Sequence, residues 1–303
     1  MTDSSGQHNI WYILITIMIV VFVGRFIIRK MHPRLEGFTG MERFHLKEND
    51  QLFDSFYVSF YDQLMYSRDK VRYEFNKIRE ITDLSEDSRV LDMGSGTGHH
   101  LHVFSENGIQ GIGIDRSEDM VQYARRTYPD LDFQVKSMES ANFPAGAFTH
   151  ILCLYFTIYY VRDKPVVFAN CFKWLAPGGY LVLHLVNKNK FSPVVPGSNK
   201  IRNTNVQKYE DGRITKSIAK LDKFSYTSDF ALEDRDNDDV SSFVEKFTDH
   251  YGKVRENKHT LYMETQTEIL KQAYNSGFVL DARVDLGKIG YNFQYLYILQ
   301  KPE

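Results

Sequence analysis

An α/β fold, doubly wound about a seven-stranded and mostly parallel sheet, is what this sequence predicts, and three observations predict it. The run Val90-Leu91-Asp92-Met93-Gly94-Ser95-Gly96-Thr97-Gly98 is an apolar strand that ends in an acid and turns through alternating glycines into a helix-compatible segment, His99 to Glu106. A second short apolar run, Gly111 to Asp115, ends in another acid about twenty residues past the first glycine, the spacing at which a carboxylate meets a ribose diol in such folds. From Asp87 onward, short apolar strands alternate with helices, the pattern of a parallel sheet covered on both faces.

The elements follow in chain order. Ile10 to Gly24 is almost unbroken apolar sequence, and counted as a helix to Ile28 it reaches about 28 Å, close to the ~30 Å of a bilayer core. Arg25 lies near its end, where the head can snorkel to the interface. A cleaved signal peptide would want a basic start and a small-x-small exit. Neither Met1-Thr2-Asp3 nor Arg25-Phe26-Ile27-Ile28-Arg29 supplies one, and a buried soluble helix is the other alternative. The expectation is an N-terminal transmembrane helix within residues 1–30, a single-pass membrane anchor. Arg25, Arg29, Lys30 and Arg34 follow it and only Asp3 precedes it, so positive-inside bias puts the large domain in the cytosol. Residues 31–45, with Pro33, Gly37 and Gly40, read as a linker to a domain over 46–303.

Asp50 to Ile81 carries helical periodicity through Phe53, Phe56, Phe60, Leu64, Val71, Phe75 and Ile78. Strands are expected near Arg89–Met93, Gly111–Asp115, Asp132–Lys136, Thr149–Leu154 and Tyr180–Val186, with helices between them such as Asp119–Thr127 and Lys164–Leu175. Ligands in such sheets bind beyond the carboxyl ends of the strands, where strand order reverses. After strand five an antiparallel β insertion, about 205–263, is expected to roof that edge. In it Phe224, Tyr226, Ser228, Phe230 and Leu232 share one face. Thr265 to Gly277 reads as a helix with a glycine stop, and Val279–Val284 with Tyr291–Gln300 as a closing hairpin.

Composition narrows the function. A formal charge of −2 lacks the basic field of a nucleic-acid binder. Cys153 and Cys171 sit in apolar contexts and read as buried thiols, and no Cys/His spacing suits a metal. The acidic run Glu233 to Asp239 lacks the glycine and distal glutamate of an EF-hand and reads as an exposed connection.

Three blocks carry a family resemblance: Val90 to Gly98, Gly113 to Met120, and Leu175-Ala176-Pro177-Gly178-Gly179-Tyr180-Leu181. In that order and spacing they resemble the class I S-adenosylmethionine-dependent methyltransferases, over roughly residues 50 to 300 and most weakly between 187 and 265. The resemblance implies S-adenosylmethionine as cofactor. Asp92 with Gly94, Ser95, Gly96 and Gly98 would hold its methionine part, and Asp115, with Arg116 beside it, its ribose. Met120 and Met138 would flank the adenine, although each also reads as ordinary core methionine. Ser137, in Lys136-Ser137-Met138-Glu139, replaces the family's usual aspartate at the adenine edge, and Thr149 replaces another. Phe60-Tyr61-Asp62-Gln63-Leu64 resembles a segment of small-molecule N-methyltransferases in which the tyrosine caps the donor's carboxylate, a role carried to Tyr61.

After strand four, the resemblance implies that Tyr155 meets the cofactor and Tyr159 the substrate, while Thr157 and Tyr160 are further candidates. On the insertion, His259 or Tyr262 is expected to reach the acceptor, with His259 as general base. His99 and His100 read as polar helix-start residues. The expected function is a membrane-anchored methyltransferase acting on a small molecule, an amine among the candidates, or on a lipid. A catalytically inactive binding or scaffold module and a protein methyltransferase are the alternatives.

Overall fold

The computed structural model describes residues 14–23, 43–193, 208–210, 213–221, 223–233 and 239–303. The chain enters with strand β1 (Phe44–Glu48), then helices α1 (Ser55–Met65) and α2 (Arg68–Thr82). Asp54 and Ser67 accept hydrogen bonds from the first-turn amides of these helices, which is why the helical periodicity breaks into two pieces. The alternation that follows is β2 (Arg89–Met93), α3 (His99–Glu106), β3 (Gln110–Asp115), α4 (Glu118–Thr127), β4 (Asp132–Val135), β5 (Phe148–Cys153), α5 (Lys164–Trp174) and β6 (Leu175–Val186). Helix α6 (Gln266–Asn275), opened by a Thr265–Glu268 capping box, leads to β12 (Val279–Asp285) and β13 (Gln294–Gln300).

The seven-stranded sheet has the order β12-β13-β6-β5-β2-β3-β4. All neighbours run parallel except β13, which is antiparallel to both β6 and β12. Order reverses between β2 and β5, and that crevice is where the acid-and-glycine turn after β2 emerges. Alternate side chains feed two cores. Leu91, Met93, Ile151 and Cys153 pack with Phe168 and Trp174 on one face, and Val90 and Leu152 pack with Phe75, Ile78 and Phe104 on the other. Both cysteines are buried and free, as read from the sequence.

The insertion supplies β7 (Lys208–Glu210), β8 (Arg213–Lys220), β9 (Phe224–Glu233), β10 (Val240–Asp249) and β11 (Val254–Tyr262), antiparallel neighbours in that order. The second sheet has six strands, because β1 adds to β11 in parallel, Phe44 opposite Val254. Phe44 and His45, placed in the linker by composition, therefore stand in a sheet. The inner face of this sheet carries Phe224, Tyr226, Ser228 and Phe230 from β9, as the period-two reading expected. Leu232, at 38% exposure, drops off that face near the strand's end.

The predicted transmembrane helix is not present among the described residues. Of Ile10 to Ile28 the structure describes residues 14–23, which are helical with exposed apolar side chains, and the remainder lies outside the described residues. No helix among the described residues is long and apolar enough to cross a membrane. Residues 234–238 of the acidic connection and 194–205 of the loop after β6 also lie outside them.

Candidate functional site

Two adjoining cavities open at the carboxyl ends of the parallel strands, about 1320 Å³ and 600 Å³ counting their open mouths. They share Tyr61, Met65, Gly94, Gly96, Tyr155 and Thr157. The smaller one is built on the turn after β2. Gly94 adopts φ 67°, and a Cβ there would lie 2.5 Å from Thr157 Cγ2. Gly98 adopts φ 88°, and its Cβ would meet Phe133 at 2.6 Å, so it shapes the loop without lining either cavity. Helix α1 lies over this loop. Asp62 accepts from Thr97 Oγ1 at 2.7 Å and from Tyr123 at 3.2 Å, and His99 Nε2 lies 2.8 Å from it.

The polar chemistry of the smaller cavity is unfinished. Asp92 is buried, and burial raises its carboxyl to about 6. Asp115 and Glu74 push the same way and His100 pulls against them. Among the described residues, neither Asp92 Oδ2 nor Ser95 Oγ has a hydrogen-bond partner. A buried carboxylate and a hydroxyl left unpaired in a cavity fit a ligand that brings donors of its own, as an amino-acid end does. Behind them, Glu74 bonds to Lys70 and, at 2.9 Å, to His100. Burial would raise Glu74, but these two partners hold its carboxyl down to about 2.

Asp115 accepts from the amides of Gly96 and Ser117 at 3.0 and 2.9 Å. Burial nonetheless leaves its carboxyl above the usual range. Arg116, Met120, Ser137 and Met138 line the larger cavity beside it. Ser137 Oγ accepts from the amide of Glu139 at 3.2 Å, a turn-closing bond that an aspartate also makes. The other replacement, Thr149, sits at the far end of β5. There its hydroxyl exchanges hydrogen bonds with the backbone of Arg89, away from both cavities. Tyr155, at φ 56°, is held by His184 Nδ1–H donating to its carbonyl, and it lines both cavities.

The larger cavity runs from these groups to the inserted sheet. Alternation along β11 buries Arg255, Asn257, His259 and Leu261 and turns Tyr262 to the other face, so His259 reaches the cavity and Tyr262 does not. Rings of Phe53, Tyr57, Tyr160 and Phe243 surround the imidazole with centroids 5.5–6.0 Å away. His259 Nε2 lies 2.7 Å from Glu245 Oε2, and His259 Nδ1 lies 2.7 Å from the Tyr160 hydroxyl. Tyr226 sits behind the cavity and donates to Glu245 Oε1 at 2.7 Å.

Tyr159 requires a correction. It is fully buried, and its hydroxyl accepts from the amide of Val186 at 2.8 Å, so it is part of the core. The 3-10 turn Thr157–Tyr160 presents Tyr160 to the cavity instead. Sequence reasoning also missed Glu245. A signal for it existed, because Glu245 shares the apolar face of β10 with Phe243 and Phe247, where an isolated carboxylate has no structural reason to be.

Residues 90–179 match a family profile described as "Methyltransferase domain". A phosphoethanolamine N-methyltransferase of Triticum aestivum is 31% identical over 109 residues, which is 34% of this chain and 21% of that protein. Phosphoethanolamine N-methyltransferase 1 of Arabidopsis thaliana is 27% identical over 182 residues, 58% of this chain and 36% of that one. The chain thus spans between a fifth and about a third of the length of these curated relatives. Among solved structures, a S-adenosylmethionine-dependent methyltransferase from Clostridium acetobutylicum superposes with TM-score 0.61 at 17% identity, covering 82% of this chain and 98% of that one. CalS10, an amino pentose methyltransferase from Micromonospora echinaspora solved with S-adenosylmethionine bound, gives TM-score 0.58 at 20% identity, with 81% and 96% covered.

Proposed function

We propose that this chain, a S-adenosylmethionine-dependent methyltransferase by its domain and its fold, methylates the nitrogen of a small amine. The observation that carries the reading is the continuity of the site. One cavity joins the donor-side residues Gly96, Asp115 and Met138 to His259 on the inserted sheet. When bound, S-adenosylmethionine supplies a methyl group already activated on a sulfonium, so the protein's task is to position and desolvate. Asp92 and Ser95 would hold the amino-acid end, Asp115 the ribose, and Met120, Ser137 and Met138 the adenine. Tyr61 would cap the donor's carboxylate end and Tyr155 would meet the donor, both lining the two cavities. Aromatic rings around His259 suit a cationic or amine-bearing acceptor. The relatives named for phosphoethanolamine and the neighbour named for an amino pentose support an amine.

The test is methyl-labelled S-adenosylmethionine incubated with the full chain and with ethanolamine, phosphoethanolamine or an amino sugar. Label in an N-methyl product is the expected result. Donor binding with no label in any amine would sink the acceptor reading and leave the donor reading standing.

The anchor belongs to this proposal too. Its support is the length and flanking charge of Ile10 to Ile28 and the exposed apolar side chains of residues 14–23. With the flanks as they are, the domain faces the cytosol. Carbonate extraction should leave the full chain in the membrane pellet and release a chain begun at Met41. Release of both refutes the anchor.

A further inference from the structure

His259 is the middle of a buried hydrogen-bonded chain that runs from the cavity into the inserted sheet, and nothing on the donor side calls for it. The direction of each bond follows from the groups. Glu245 is fully buried and accepts from Tyr226 through one oxygen. Its other oxygen accepts from His259 Nε2–H. His259 Nδ1 is then the bare nitrogen, and it accepts from the Tyr160 hydroxyl. The chain is not needed to hold the sheet, because β10 and β11 are paired from Val240 to Thr248 without it.

We propose that Tyr160, His259 and Glu245 form a proton relay that takes the proton from the acceptor, with the Tyr160 oxygen as the group that meets the acceptor N–H. This rests on the amine reading above. The acceptor's nitrogen lone pair forms the new N–C bond, and the S–C bond breaks with its electron pair left on sulfur. The N–H proton passes to the Tyr160 oxygen as the Tyr160 proton passes to His259 Nδ1. The imidazolium so formed faces the Glu245 carboxylate, and the buried pair carries no net charge.

The surroundings select this relay over a tyrosinate. Tyr160 is held well above the ordinary phenol range by burial first, with Tyr61 and Glu245 adding to it and Arg116, 6.0 Å over its ring, opposing. It therefore accepts a proton only while handing on its own. Tyr57 from α1 and Phe243 from β10 close the imidazole off from other bases. Tyr160 and His259 are catalytic residues in this scheme. Glu245, which touches neither substrate, is a positioning residue.

The amine best methylated by the full chain in the panel above serves as the probe, with kcat and both KM values measured and the Kd of S-adenosylhomocysteine as the report on folding. Tyr160→Phe and His259→Gln are expected to lower kcat by about 100-fold or more, and Glu245→Gln by about 10-fold or more, with KM values and that Kd within about three-fold of the parent. A Tyr160→Phe enzyme with kcat within about three-fold of the parent overturns the relay and leaves the amine reading intact, as does a Glu245→Gln enzyme in which only KM moves. Failure of the parent to methylate any amine overturns both. If His259→Gln loses S-adenosylhomocysteine binding through misfolding, Tyr160→Phe, which removes one oxygen, decides alone.

Discussion

Asp92 shows how a single residue trades stability for a site. Its carboxyl is raised to about 6, by burial first, so the folded state holds a proton that the unfolded chain releases near pH 4. Stability therefore falls as pH rises through that window, by up to about 3 kcal/mol, and is flat above it. Asp92→Asn should unfold at higher urea than the parent at pH 7.5, by about 2–3 kcal/mol, and gain nothing at pH 4. Calorimetry on the same variant should show donor affinity at least ten-fold weaker. A variant with parental stability at pH 7.5 would refute the burial argument. Asp92 and Asp115 were legible as functional because acids close two apolar strands next to glycines. Tyr160 and Tyr159 were not separable by sequence, since a 3-10 turn rather than a strand decides which of two adjacent tyrosines faces the cavity.

At the scale of elements, the inserted sheet is pinned to the first helix by one arginine. Arg255 is fully buried, and its guanidinium donates to Asn257 Oδ1 at 2.9 Å, Asp54 Oδ2 at 2.9 Å and Leu52 O at 3.3 Å, while lying 4.6 Å over Phe56. Arg255→Met should cost about 2–4 kcal/mol in urea unfolding, and Arg255→Lys nearly as much, because a lysine cannot keep a forked set of partners. Full recovery in the lysine variant would show that charge alone matters there. Periodicity made β9 to β11 readable in the sequence, since alternating apolar residues on a half-buried strand leave a period of two. β1 was hidden for the opposite reason. Five residues carry too little pattern, and their partner is β11, some 200 residues further along.

For the whole molecule, the boundary that matters is where β1 begins. A chain started at Arg43 keeps the second sheet whole, and one started at Asn49 bares the edge of β11 from Val254 to Lys258. The first should melt within about 2 °C of the full chain. The second should melt several degrees lower and aggregate faster, because unpaired strand edges recruit one another. Equal melting of the two would make β1 an ornament. The broad class of the molecule was legible because its donor half is local in sequence, with β2 to β4 holding Asp92, the glycines and Asp115. The proposed acceptor side was legible only in part, because His259 and Tyr160 stood among the candidates while Phe53 and Glu245 join them only through the fold.

The pairing of β1 with β11 also sets a clock. Phe44 leaves the ribosome long before Val254, its partner, has been made. At ~5–20 residues per second the wait is about 10–40 s. Throughout it, Phe44 and Leu46, half-exposed even in the finished protein, have no strand to lie against. A nascent chain is at its most vulnerable to misassociation in that interval.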